Sequence, residues 1–255
     1  MVIAERINND IPVKKTIFLY WLGGTGFIIK NGELTIGIDL YLSDACKNKK
    51  GDYKRLFPSL VDPGDLKLDY LIATHQHGDH FDLGSINKFI NENTVTKLIG
   101  PNSVLNLGKT LGLDPEKFLN LNRGENLKLG DVDLKGVLAD HGKLAPDCIG
   151  IIMTISEKNV YFTSDTCFRP DLPQLIELRD PIDLLIVPIN GKDGNPDPKD
   201  AAYISAWVKP RIVIPSHFWL FKEHGGDPGL FLEYCKDIVP KTRVEILAQG
   251  EKLVI

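Results

Sequence analysis

The 255 residues predict a mixed α/β fold, and three observations carry that expectation. Short apolar runs, of strand length, recur through both halves of the chain. Asp-Pro pairs at 114–115, 197–198 and 227–228 each read as a helix start, with Asp as N-cap and Pro at the first helical position. Histidines and aspartates fall directly after several of the apolar runs, where a strand would deliver them to a sheet edge.

The elements follow in order. Thr16–Leu22, Gly26–Lys30 and Leu34–Leu40 read as strands, with turns at Gly23-Gly24 and at Asn31-Gly32, the latter a two-residue hairpin signal. Residues 43–65 mix Lys, Gly, Pro and Asp without periodicity and read as a long loop. Tyr70–Thr74 is a short buried strand, and Phe81–Glu92 has the spaced apolar residues of a helix. A second half begins near Val132 with strands at Val132–Ala139, Val160–Asp165 and Ile212–Pro215, and a helix through Ala201–Val208. Strands, helix, strands, helix fits two sheets packed face to face with helices outside.

Composition bounds the class. A hydrophobic content of 43% suits one compact domain over 1–255. A net charge of −4 gives no broad basic surface, so nucleic acid is not an expected partner, and self-association is compatible with it. The first ten residues lack an apolar h-region, and no apolar run approaches the roughly 20 residues that span a bilayer. Cys46, Cys148, Cys167 and Cys235 form no Cys-X-X-Cys pair. The expectation is a cytoplasmic protein with reduced thiols.

The chemistry concentrates at Thr74-His-Gln-His-Gly-Asp-His-Phe-Asp82, which holds three of the chain's 6 histidines. His75, His77, Asp79 and His80 offer nitrogen and oxygen donors suited to borderline divalent metals. His141 in Ala-Asp-His-Gly, Asp165 after Val-Tyr-Phe-Thr-Ser, and His217 in Ile-Pro-Ser-His each follow a predicted strand. Ligands delivered at several strand ends to one sheet edge can converge although they lie far apart in sequence.

The His-X-His-X-Asp-His run, with His141, Asp165 and His217 at strand ends, resembles the metallo-β-lactamase-fold hydrolases over essentially the whole chain. Tyr20-Trp-Leu-Gly-Gly-Thr-Gly26, Ile38-Asp39, Ala73–His80, Ile99-Gly-Pro101 and Ile214-Pro-Ser-His217 look like the L-ascorbate-6-phosphate lactonase branch. The chain differs from that branch in carrying His141 in Ala-Asp-His-Gly-Lys and in lacking extra terminal segments.

The resemblance implies a four-layer αββα sandwich and two divalent ions per chain, zinc or manganese, with iron a further candidate. It gives one ion to His75, His77 and His141, a second to Asp79, His80 and His217, and both to Asp165. Asp79 and Asp165 carry the catalytic roles, Asp79 acting chiefly as proton acceptor if a single ion binds. Asp39 would brace the histidine loop from behind. The implied reaction is hydrolysis of a lactone or phosphoester in a small anionic metabolite.

Around these positions, Lys143, Arg169, Lys192 and Lys222 are candidates for holding an anionic substrate, with Trp219 and Phe218 as cleft walls. His224 lies outside the motif positions and is expected in a mobile cleft or at the surface, within reach of substrate. Cys167 is expected to be a buried, inert thiol. Gly23-Gly24-Thr25-Gly26 lacks the Lys-Ser/Thr ending of a phosphate loop and reads as a tight turn. The alternatives are a metal-dependent phosphodiesterase or nuclease, and an iron-dependent oxidoreductase on the same fold. The first needs a nucleic-acid-gripping insert. The second tends to replace a motif histidine by carboxylate and to carry a flavin domain.

Overall fold

The computed structural model describes residues 3–92, 96–176, 178 and 180–255. The chain divides into two compact units, Met1–Leu121 with Leu247–Ile255, and Asn122–Ile246.

The first unit holds helix α1 (Ile3–Asn9), strands β1 (Phe18–Gly23), β2 (Gly26–Lys30), β3 (Thr35–Ile38), β4 (Tyr70–Ile72) and β5 (Lys97–Gly100), helix α2 (Asn102–Thr110) and strand β6 (Phe118–Asn120). The C-terminal strand Lys252–Val254 joins the same sheet at its outer edge, beside β1. The sheet then runs β1 to β6 in sequence order. β1, β2 and β3 pair antiparallel, whereas β3, β4, β5 and β6 pair parallel. Every residue of β2 is buried, and Tyr20, Leu22, Ile28, Phe81, Phe89, Leu98 and Val104 share one apolar core.

Local chemistry sets the connections. Gly23 has φ +104, and a Cβ there would lie 2.8 Å from the Gln249 amide, so the β1–β2 turn needs glycine. The expected two-residue hairpin at Asn31-Gly32 is instead a four-residue connection. Asn31 Oδ1 accepts from the backbone N–H of Glu33 and Leu34, at 2.9 and 2.7 Å, and this Asx turn postpones β3 to Thr35. The helix expected over 81–92 starts late. Asp82 accepts from Gly84 N–H at 3.0 Å and Ser85 Oγ at 2.5 Å, closing a turn before the π-helical segment Lys88–Glu92. α2 follows Pro101, which offers no side-chain cap, so it carries no sequence start signal.

The second unit contains β7 (Asn126–Leu129), β8 (Val132–Leu138), β9 (Ile149–Ile155), β10 (Lys158–Phe162), helix α3 (Leu172–Ile176), β11 (Leu184–Pro188), helix α4 (Pro198–Val208), β12 (Ile212–Ser216), helix α5 (Pro228–Ile238) and β13 (Arg243–Val244). Its sheet also runs in sequence order, from β7 at one edge to β13 at the other. The first four strands alternate in direction, and β10 to β13 are parallel. β11 and β12 are buried at every position, as parallel strands covered on both faces require. The Asp197 and Asp227 caps are as expected, each carboxylate accepting from two helix N–H groups; such a cap contributes about 1 kcal/mol. The third Asp-Pro pair opens only a short 3-10 turn, Pro115–Lys117.

Strand direction decides where chemistry can sit. β8 opposes β9 and β9 opposes β10, so β8 and β10 point the same way, as do β11 and β12. All four end at one edge of their sheet. His141, Asp165, Asn190 and His217 each follow within three residues of one of those ends. In the first unit Asp39 follows β3, and Thr74-His75 follow its parallel neighbour β4. Among the described residues, no helix is long and apolar enough to cross a membrane.

Candidate metal centre

In the first unit a buried carboxylate organises the histidine motif. Asp39 is fully buried, with φ +46. Its Oδ1 accepts from the Thr74 backbone N–H at 2.8 Å, and its Oδ2 from Thr74 Oγ1 at 2.7 Å and His80 Nδ1 at 2.7 Å. A carboxylate can only accept, so the His80 proton sits on Nδ1 and the Nε2 lone pair is able to serve as a ligand. Asp79 Oδ2 lies 4.0 Å from that Nε2.

His75 is fully buried and His77 half-buried, and His75 Nε2 stands 3.0 Å from His77 Nδ1. Two nitrogens that close need a shared proton or a cation between them. Two imidazoles on a tetrahedral zinc, each about 2.0–2.1 Å away, would stand roughly 3.3 Å apart. The donors therefore fit an ion. Gly78 lets the loop close, since a Cβ there would lie 2.8 Å from Cys46 Sγ. Burial, and the charge of Asp79 after it, push the Cys46 thiol up to about 12, so it stays protonated at neutral pH. Asp82, the last residue of the motif, belongs to the frame: it accepts from Leu42 N–H at 2.8 Å and bonds Ser43 and Ser85.

In the second unit Asp165 stands between two histidines. Its Oδ1 is 3.3 Å from His217 Nε2, and its Oδ2 is 3.7 Å from His141 Nε2. All three are buried. The backbone is left-handed at Ser164, just before Asp165, and at His217, with φ +59 and +57. Non-glycine residues held there cost of order 1–3 kcal/mol each, and such strain clusters at functional sites.

The loop bearing His141 is tied down by Arg169. Its guanidinium bonds Asp140 and forks onto Asp171 at 2.6 Å through two nitrogens. This hydrogen bond holds the Asp140 carboxyl below its ordinary range. Arg169, a candidate substrate contact from sequence, bonds two carboxylates here, one of them on Asp140 beside His141. Cys167 is half-buried rather than buried; its N–H bonds the Asp140 carbonyl at 2.7 Å, and burial raises its thiol.

His224 is the largest departure from expectation. It is 9% exposed rather than at the surface, and its ring packs against His217 and Phe221 with centroids 4.5 and 4.8 Å away. Gly225 and Gly226 put it there. A Cβ on either would lie 2.7 Å from the Asn190 carbonyl or 2.8 Å from the Ile189 carbonyl, so the loop seats directly on the end of β11. Lys143 and Lys192 are exposed, and Lys222 is paired with Glu223 at 3.4 Å. Trp219 is half-exposed and meets the buried Phe218 edge-on.

Strand ends that gather histidines and carboxylates in this way define a metal-dependent class of α/β enzyme. The chain belongs to the UPF0173 metal-dependent hydrolases of the β-lactamase superfamily: the beta-lactamase superfamily domain profile matches residues 39–218. A UPF0173 metal-dependent hydrolase of Staphylococcus saprophyticus is 33% identical over 202 residues, covering 75% of this chain and 84% of that protein. A UPF0173 protein of Pyrococcus abyssi is 28% identical over 234 residues, covering 92% and 96%. Among solved structures, Igni18, a metallo hydrolase of Ignicoccus hospitalis, superposes with a TM-score of 0.73 at 22% identity, covering 94% of this chain and 98% of that one. The metallo-β-lactamase fold expected from the motif strings is the fold of this chain. The profile runs through both compact units.

Proposed function

We propose that the two clusters serve one hydrolytic centre in a single catalytic domain. His75, His77 and His141 would hold one divalent ion, and Asp79, His80 and His217 a second. Asp165 would serve both. The observation that carries this reading is Asp165 itself: its two oxygens face two different imidazoles within one unit. The mixed nitrogen and oxygen donors suit zinc or manganese, with iron as the third option.

Bound divalent ions supply positive charge that acidifies water toward neutral pH and polarises a carbonyl or phosphoryl oxygen. The protein's own groups do the rest. Asp39 holds the His80 proton on Nδ1 and so keeps Nε2 available. Asp165 balances charge in a buried setting where an unpaired cation would be costly. Asp79, half-buried, would instead accept a proton from the attacking water and return it to the leaving alkoxide if a single ion binds.

The substrate class we infer is a small anionic lactone or phosphoester, on the strength of sequence strings that resemble the ascorbate-phosphate lactonase branch. The exposed Lys192 would draw the anion. The test is a panel containing an ascorbate-phosphate-type lactone, a bis-aryl phosphodiester, a β-lactam and a tRNA precursor, assayed with zinc- and manganese-loaded protein. Turnover of the lactone or the phosphodiester is expected. Preference for the tRNA precursor by about 100-fold in kcat/KM, roughly 2.7 kcal/mol of discrimination, would replace this reading with a nuclease.

A further inference from the structure

Asn190 ends the loop start that follows β11, the strand lying between β10 and β12 in the second sheet. It therefore sits on the same sheet edge as Asp165 and His217, on the strand between theirs. Its side chain is 2% exposed, and neither its Nδ2 nor its Oδ1 has a hydrogen-bond partner among the described residues. A buried carboxamide left with donor and acceptor unmade costs about 1–3 kcal/mol for each group, so native structures seldom retain one without use.

The surroundings hold it in place. Gly191 N–H bonds the Pro196 carbonyl at 3.0 Å, closing the loop across its base. Asn195 Oδ1 accepts from the Thr166 N–H at 2.9 Å, which ties the loop to the residue after Asp165. The Nδ2 of Asn195, itself 7% exposed, also lacks a partner among the described residues. On the other side the Gly225-Gly226 segment packs on the Ile189 and Asn190 carbonyls. The Asn190 backbone is fixed from both flanks while its amide is left unmatched.

We propose that the Asn190 carboxamide is a substrate-recognition group, matching a hydroxyl carried next to the bond that is cut. A hydroxyl both donates and accepts, so it can satisfy Oδ1 and Nδ2 together; a hydrocarbon at that place leaves both unmade. A site built to bond a hydroxyl discriminates strongly against the analogue that lacks it. The inference rests on the hydrolytic reading of this edge and adds to it a polyhydroxylated substrate.

The experiment compares D-erythronolactone, hydroxylated beside its carbonyl, with γ-butyrolactone, on metal-loaded wild type and Asn190→Leu. Leu removes the amide at similar volume, so the variant should match or exceed the wild-type Tm. Metal content should not change. The kcat/KM for erythronolactone should fall by about 30-fold while that for butyrolactone stays within about threefold. A selectivity ratio unchanged by the substitution would overturn the proposal and assign the amide to an internal water. Should wild type open neither of these neutral lactones, the anionic lactone or phosphoester class proposed above still stands or falls on its own panel. Calorimetry with D-erythronate and 4-hydroxybutanoate then decides about Asn190. About tenfold tighter erythronate binding in wild type, lost in Asn190→Leu, sustains it; equal preference in both proteins refutes it.

Discussion

Asp39 and His80 are joined through a 2.7 Å contact between Oδ2 and Nδ1, although 41 residues separate them in sequence. Both are buried, and the same carboxylate anchors Thr74 through its backbone and its hydroxyl. One acid therefore fixes the entry to the histidine loop and the tautomer of a histidine inside it.

Asp39→Asn tests that coupling. An amide can donate to Nδ1 and so favours the tautomer whose proton blocks Nε2. Metal affinity should drop about 10–100-fold, the usual effect of losing such a support, with far-UV circular dichroism retained. A competition titration against a chromophoric chelator measures it. Affinity within about twofold of wild type would mean that Asp39 serves folding alone.

His77→Ala and His224→Ala should separate a ligand from a neighbour. Elemental analysis of His77→Ala should find about half the metal of wild type, since one of the histidine-rich ligand sets loses a member. His224→Ala should keep its metal and show a raised KM. Equal loss in both variants would make His224 a ligand in its own right, beside His217.

Asp165→Asn should cut turnover by about 100-fold or more, roughly 2.7 kcal/mol in the barrier, while the Tm changes little. An amide offers one neutral oxygen where the acid presents two anionic ones to His217 and His141. Unaltered turnover would refute the shared carboxylate.

The Arg169–Asp140 contact predicts a direction with pH. Asp140 has a folded pKa below its ordinary value, so its contribution to stability is complete above about pH 4 and fades as pH falls through the lower folded value. Arg169→Gln should consequently lower the Tm at pH 6 and converge on wild type in stronger acid. A Tm difference that grew on acidification would contradict this assignment.

Gly226→Ala should destabilise by about 1–3 kcal/mol, because φ is +88 and the new Cβ would press on the Ile189 carbonyl at 2.8 Å. Gly112→Ala shares a positive φ, +75, but meets no atom within 4 Å, and should cost less, about 1 kcal/mol. Similar losses from chemical denaturation would show that conformation rather than contact governs both. A loss of packing between His224 and His217 should accompany the first change alone.

Much of this was legible in the sequence where function is local or tied to strand ends. His75, His77, Asp79 and His80 lie within six consecutive positions, and His141, Asp165 and His217 each follow an apolar run, so pattern alone nominates them as candidate ligands. Asp39 was legible as a strand-end acid, though its three bonds were not. What escaped depends on packing between distant segments. His224 is buried because two glycines settle on the end of β11, and a sequence shows only a Gly-Gly turn there. Arg169 looks like any loop cation until Asp140 and Asp171 are seen to claim it. Asp82 reads as part of the metal motif, yet its bonds run to Leu42, Ser43 and Ser85. Nothing in the sequence singles out Asn190, and only the unmatched amide distinguishes it.

With His141, Asp165 and His217 all at one end of the second sheet's strands, the opposite end carries none of the proposed ligands. There β9 turns back into β10 through Ser156 and Glu157, both left-handed, at φ +49 and +63. That is the geometry Asn-Gly adopts most readily, and chemistry places no demand on it. A fluorophore, affinity tag or surface tether fixed at this turn would report on or immobilise the enzyme while facing away from whatever it hydrolyses.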